Sequence, residues 1–308
     1  MANDPSSKNR IDEATGTEFV GHEWDGIEEL NTPLPRWWLW TFYICIAWAL
    51  AYTVAYPAWP MISQATEGMM GWTSRGQLAN EMEDADLARK EVRDQLAATD
   101  ISNLQGNPDL MQKAVAGGRA AFLVNCVQCH GSGAAGSPGY PNLNDDDWLW
   151  GGDLATIETT LKHGIRQPGD DMTRFSAMPA FAGMFDTAQL DALTEHVLSL
   201  SGKGQTSPAG AQAYADNCAI CHGPAGEGDR MQGAPRLNDA IWLRGSTKAD
   251  IQQQILQPRM GVMPSWSGRL DPATIKMLAA YVHSLGGGED FAEAQVEAPV
   301  TPVDEQAE

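Results

Sequence analysis

Cys126-Val127-Gln128-Cys129-His130 and Cys218-Ala219-Ile220-Cys221-His222 are two copies of C-x-x-C-H. Two thiols three positions apart can each bond a vinyl group along one haem edge. The histidine that follows then lies under the iron as an axial ligand. Together the motifs use four of the chain's five cysteines. A structural zinc site would need a closed set of four Cys or His ligands. Here each C-x-x-C carries its own histidine, and the motifs sit in separate repeats. A disulfide or thioredoxin-like use would not need those histidines, and no βαβ pattern surrounds either motif. The expectation is two covalently bound haem c groups, attached through Cys126, Cys129, Cys218 and Cys221, with His130 and His222 on the iron.

An internal repeat frames both motifs. Gly118, Phe122, Asn125 and Gly131 correspond to Gly210, Tyr214, Asn217 and Gly223. Pro141-Asn142-Leu143-Asn144 and Trp148-Leu149 correspond to Pro235-Arg236-Leu237-Asn238 and Trp242-Leu243. Asp186, Leu190, Leu193, Val197 and Leu200 match Asp271, Ile275, Leu278, Val282 and Leu285 at helical spacing. Each unit runs to roughly 85 to 95 residues, a small domain whose limited core a cofactor would supplement.

Within the repeat, Met178-Pro179 matches Met263-Pro264. Haem iron held by His on one face often takes Met on the other in electron-transfer cytochromes, which raises the potential. Both methionines lie in extended, Pro-marked segments before the last helix of their repeat. Met172, Met184 and Met260 match no methionine in the other repeat and read as packing. Met178 and Met263 are the expected axial ligands.

Other candidates carry less. His163 is a rival sixth ligand without a counterpart in the second repeat, so a surface or partly packed role fits better. His196 and His283 are non-equivalent and read as solvated, and His22 lies in an acidic segment. Trp148 and Trp242 are expected to line a haem edge, by packing or by donating an indole N–H. Arg166, Arg174 and Arg259 are candidates to pair with haem propionates, or surface residues.

The elements that position these groups begin with an apolar run. No charged residue occurs between Arg36 and Glu67. Trp37 to Tyr56 as a helix spans about 30 Å, enough to cross a hydrocarbon core. Trp37, Trp38 and Trp40 mark one end, and Tyr52, Tyr56 and Trp59 the other, as interfacial belts do. A cleaved signal peptide fits badly, since a long acidic segment precedes the run and no small-x-small site follows. Pro57 and Pro60 end the helix, and Cys45 within it reads as a small buried hydrophobe. Residues 76–98 read as a helical connector with charges of alternating sign. Ser201 to Pro208, rich in Gly and Ser, separates the two haem repeats. No region reads as strand-rich.

The formal net charge is −20. Met1–Leu30 contributes −6 and the segment after Leu285 contributes −7, so −13 lies in terminal tails read as unstructured. Nucleic-acid binding is disfavoured. Acidic surface near an exposed haem edge would instead steer a basic cytochrome c.

The segment Asp25-Gly26-Ile27-Glu28-Glu29-Leu30-Asn31-Thr32-Pro33-Leu34-Pro35-Arg36-Trp37-Trp38, the single span closing on Tyr56-Pro57-Ala58-Trp59-Pro60, and two haem repeats form a specific combination. From about Gly21 to Leu285 the chain resembles the membrane-anchored dihaem subunit (subunit III, FixP/CcoP type) of cbb3-type cytochrome c oxidases. The expected fold is all-α: one N-terminal transmembrane helix followed by two tandem class I cytochrome c domains. The expected divisions are a cytoplasmic acidic tail over 1–33, the anchor over 34–60 and a periplasmic helical connector over 61–108. The cytochrome c domains would occupy 109–203 and 204–288, and a disordered acidic tail 289–308. The resemblance implies a single-pass protein of a bacterial inner membrane, its N-terminus cytoplasmic and its haem domains periplasmic. It implies partners too: a haem–copper catalytic subunit, a monohaem cytochrome subunit and a basic cytochrome c donor. The implied task is electron relay from that donor toward the oxygen-reducing site. In this family the axial methionines are thought to be exchanged, with Met263 serving the first haem and Met178 the second. Spacing alone suggests ligation within each repeat.

The chain shows no nucleophile–base pair, phosphate loop or copper site, and Met in the sixth position would close iron to oxygen. Oxygen reduction would therefore belong to a partner. The competing readings are a free-standing anchored dihaem shuttle and a dihaem cytochrome c peroxidase. The latter would need one open haem with an acid/base residue beside it.

Overall fold

A computed structural model describes residues 10–290. The chain divides into two units, the first ending at Asp86 and the second beginning at Leu87.

The first unit opens on a feature absent from the all-helical expectation. Strands β1 (Phe19–Trp24) and β2 (Ile27–Leu30) form an antiparallel hairpin, with Trp24 opposite Ile27 and a register irregularity between Phe19 and Glu23. Asp25 and Gly26, at φ 49° and 83°, make the two-residue turn. Positive φ at both positions suits the right-handed twist of the flanking strands. Arg10 pairs with Glu28 and lies over the Phe19 ring. The acidic segment expected to be unstructured is thus folded from Arg10 onward, and residues 1–9 of that tail lie outside the described residues.

Helix α1 (Arg36–Ala55) buries none of its residues. It is apolar on every face, long enough to cross a bilayer, and its mean hydropathy reaches 1.5. Such a helix needs an apolar surrounding that the described residues do not supply. Cys45 lies on the outer surface of this helix, with the rest of the span's side chains. The Met69 and Met70 N–H groups reach back to Val54 and Ala55 carbonyls at 2.9 and 3.0 Å, closing the helix end. Helix α2 (Ser74–Ala98) buries only Leu96.

Two hydrophobic cores build the second unit. The first collects Leu96, Ile101 and Leu104 with residues of α3 (Pro108–Asn125), α5 (Leu154–His163) and α10 (Pro272–His283). The second collects residues of α6 (Thr187–Leu200), α7 (Pro208–Asn217) and α9 (Lys248–Leu256). Between these helices lie two single turns, α4 (Val127–His130) and α8 (Ala219–His222). Helix α10 packs on α3 and α5, while α6 packs on α7 and α9. The cores therefore cut across the order of the repeats, since each takes its last helix from the other one.

Matched glycines permit both crossings. A Cβ on Gly118 would run into the Met277 carbonyl and Tyr281 of α10, and one on Gly210 into the Ala192 carbonyl and His196 of α6. Beside them, Phe122 meets Tyr281 at a ring separation of 5.3 Å and Tyr214 meets His196 at 5.0 Å. Asp186 opens α6 with a capping box to Gln189, and Asp271 opens α10 ahead of Pro272. Lys276 donates to the carbonyls of Leu96, Ala97 and Thr99, pinning α10 to the end of α2.

Glu289 was expected to begin the unstructured C-terminal tail, yet it is held by three elements. It forms a fork to Arg230 at 2.6 and 3.0 Å and accepts from the Gly152 N–H at 2.7 Å. Its carbonyl accepts from His283 at 2.9 Å. Residues 291–308 of that tail lie outside the described residues.

Candidate haem sites

Both C-x-x-C-H motifs fold the same way. Cys126 and Cys218 stand at helix junctions, and the His130 and His222 N–H groups bond back to their carbonyls at 3.0 and 2.9 Å. One turn thus carries two thiols and a histidine in fixed order. Gly131 and Gly223, each at φ 76°, end the turn and send the chain into a loop. The loops correspond bond for bond: Gly136 N–H to His130 C=O and Gly228 N–H to His222 C=O, then Leu143 to Ala134 and Leu237 to Gly226.

Each loop returns to its histidine. His130 Nδ1 lies 3.1 Å from the Pro141 carbonyl, and His222 Nδ1 lies 2.9 Å from that of Pro235. A carbonyl only accepts, so Nδ1 carries the proton and Nε2 presents its lone pair. Burial pushes both imidazoles below their usual pKa, opposed in part by those carbonyls, and so favours the neutral form that binds iron. The Pro141–Pro235 match was visible in the repeat, but its function was not read from it. Burial, with the neighbouring thiol, pushes Cys126 and Cys218 up to about 11. No group of three or more His, Cys, Asp or Glu able to hold a metal ion occurs among the described residues.

The Met-Pro segments separate toward different cores. Met263 and Trp266 pack against the core that Cys126, Val127 and Trp148 also join. Met178, Phe181 and Phe185 pack against the core that holds Cys218 and Trp242. The matched bonds agree: Trp266 N–H donates to Leu161 C=O at 2.9 Å, and Phe181 N–H donates to Ile255 C=O at 3.1 Å.

The remaining candidates resolve individually. His163 faces Asp170 at 3.2 Å, and His196 meets Thr206 at 2.7 Å besides lying tilted against the Tyr214 ring. His283 is tied to Glu289 and is not a freely solvated residue. His22 is exposed on β1. Trp148 donates its indole N–H to the Gly287 carbonyl, whereas that of its counterpart Trp242 finds no partner among the described residues. Trp150 Nε1 and Arg174 Nε are likewise buried donors without one among the described residues. Such donors are costly unless something accepts from them. Haem propionates are carboxylates of the right kind to do so. Paired thiols, a tethered imidazole and unmatched buried donors fit haem c. Arg259 is exposed, and Arg166 spends its N–H groups on the main chain.

Paired C-x-x-C-H turns with tethered histidines, on a chain that also carries a span-length apolar helix, define a c-type cytochrome with a candidate membrane anchor. Residues 16–63 match the family described as the N-terminal domain of cytochrome oxidase-cbb3, FixP. Residues 113–197 and 205–282 match cytochrome c oxidase, cbb3-type, subunit III. The cbb3-type cytochrome c oxidase subunit CcoP of Cereibacter sphaeroides is 51% identical over 275 residues, 88% of this chain and 95% of that protein. Subunit FixPc of Rhizobium leguminosarum bv. viciae is 50% identical over 285 residues, 92% of this chain and 99% of that one. Subunit FixP of Azorhizobium caulinodans is 50% identical over 283 residues, 91% and 96% of the two chains. The chain belongs to the FixP/CcoP family of cbb3-type cytochrome c oxidase subunits, and haem c is the cofactor this membership brings.

Proposed function

We propose that this chain relays electrons within a cbb3-type oxidase, from a basic cytochrome c donor toward a monohaem cytochrome subunit and a haem–copper catalytic subunit. It would carry two haem c groups in two cytochrome c domains, each built from both repeats. The observation that carries this reading is the doubled site: two C-x-x-C-H turns, each with a histidine fixed by a proline carbonyl and a Met-Pro segment on the same core.

When bound, haem c supplies reversible one-electron chemistry. The protein's part is to hold it. Cys126 with Cys129, and Cys218 with Cys221, form the thioether tethers. His130 and His222 would each bind an iron through Nε2, their Nδ1 being tied to a proline carbonyl. Met263 would be the further ligand at the first site and Met178 at the second, which would keep oxygen and water from the iron and favour the reduced state. Helix α1 anchors the chain in a bacterial inner membrane, with the hairpin side cytoplasmic and both haem domains periplasmic. The chain performs no oxygen chemistry alone.

The test is functional. The purified full-length chain should be reduced by cytochrome c and should turn over neither oxygen nor peroxide at a useful rate. Its deletion should abolish cytochrome c-dependent respiration while quinol oxidation continues. Fast peroxide turnover by the chain would favour a peroxidase. Unaltered respiration with cytochrome c in the deletion strain would leave only a free-standing shuttle.

A further inference from the structure

Arg166 follows directly on Ile165, the residue that pairs with Met263 through two backbone hydrogen bonds. Its backbone sits at φ 53°, a left-handed conformation that non-glycine residues rarely keep without compensation. Its own N–H donates to the Arg174 carbonyl at 2.9 Å, closing the loop between the two residues. The side chain then bridges two strands of chain. Nε donates to the Gly261 carbonyl at 2.7 Å, and a terminal N–H donates to the Ser176 carbonyl at 3.1 Å.

Those two carbonyls occupy the same place in each Met segment. Gly261 lies two residues before Met263, and Ser176 two residues before Met178. Among the described residues no carboxylate pairs with Arg166, and its side-chain hydrogen bonds go to those two carbonyls. Burial, with Arg244 nearby, lowers its pKa, as expected for a guanidinium that has given up water for carbonyls.

We propose that Arg166 is a positioning residue shared by both haem sites, its guanidinium fork holding the Met178 and Met263 segments together at the point where they cross. The inference rests on the reading of Met178 and Met263 as axial ligands. A planar fork can serve two carbonyls at once, while an ammonium is a point donor on a flexible stem. Its positive charge, held against both Met segments, also disfavours the oxidised, more positive iron at each. One side chain therefore sets the ligand geometry and the potential of two haems together.

The experiment uses the detergent-solubilised full-length chain with its haems attached. Arg166→Gln should weaken the near-infrared sulfur–iron band of both oxidised haems. It should lower both midpoint potentials by at least a tenfold change in oxidised-to-reduced ratio, about 59 mV for one electron. Arg166→Lys keeps the charge and loses the fork, so the band should still weaken at both haems while the potentials fall less. A change confined to one haem, no change at either, or a wild-type band in Arg166→Lys would each overturn the proposal. If Arg166→Gln does not assemble, Arg166→Lys decides by the same readings. Met178→Leu and Met263→Leu run in parallel. If neither removes sulfur–iron absorption, the ligand reading itself fails. If each removes part of it while Arg166→Gln leaves band and potentials intact, only the role of Arg166 falls.

Discussion

Ile165 and Met263 donate to each other's carbonyls, Ile165 N–H to Met263 at 2.9 Å and Met263 N–H to Ile165 at 3.0 Å. This reciprocal pair ties the Met-Pro segment of the second repeat to the end of a helix belonging to the first. On that side α10 covers α3, and on the other α6 covers α7. Each repeat thus contributes its haem motif to one core and its Met segment and last helix to the other.

The exchange gives the first prediction. Met263→Leu should remove sulfur–iron absorption from the haem held by Cys126 and Cys129, and Met178→Leu from the haem held by Cys218 and Cys221. Combining each change with Cys→Ala replacement at one motif isolates the haem concerned. Loss at the motif of the same repeat would refute the exchanged arrangement.

Stoichiometry gives the second. Mass spectrometry of the denatured chain should find two covalent haems, and one after Cys126 and Cys129 are both replaced by alanine. Retention of two in that variant would remove the first motif as an attachment site.

Little in the sequence could have revealed which helix goes where. Gly118 and Gly210 are matched, as are Asp186 and Asp271, so either last helix carries the signals needed to cross either first helix. Only the chain between them decides, and its length constrains that weakly. The haem turns were legible because thiols and histidine are local, three and four positions apart. The hairpin was missed, although Trp24-Asp25-Gly26-Ile27 holds an Asp-Gly turn between apolar residues. Acidic composition masked it. Trp148 and Trp242 match in sequence but differ in bonding, because Trp148 alone meets the carbonyl of Gly287.

The close helix crossings give the third prediction. Gly118→Ala and Gly210→Ala each force a methyl into main-chain carbonyls that cannot rotate away. Each should destabilise its own core by about 1–3 kcal/mol, the range for overpacking. Gly118→Ala should loosen the first haem site and Gly210→Ala the second, read by thermal loss of each haem's visible spectrum. Equal loosening of both sites by either change would argue against two separate cores.

The fourth prediction concerns Asp147, whose pKa is pushed up to about 6 by burial and then by Asp239 and Asp145, with Arg236 opposing. A carboxyl whose folded pKa exceeds its unfolded value near 3.8 binds its proton more tightly in the native state. Its ionisation therefore costs stability as pH rises from about 4 through 6, and the cost is complete above that range. Asp147→Asn should remove it. After allowance for solvent screening, the variant should gain about 1 kcal/mol at neutral pH. At low pH it should gain little, because the native carboxyl is protonated there. Denaturant unfolding of the haem-loaded chain at three pH values between 4 and 7 provides the check. A gain independent of pH would mean that the amide improves packing or hydrogen bonding, and that the carboxylate is not the source of strain.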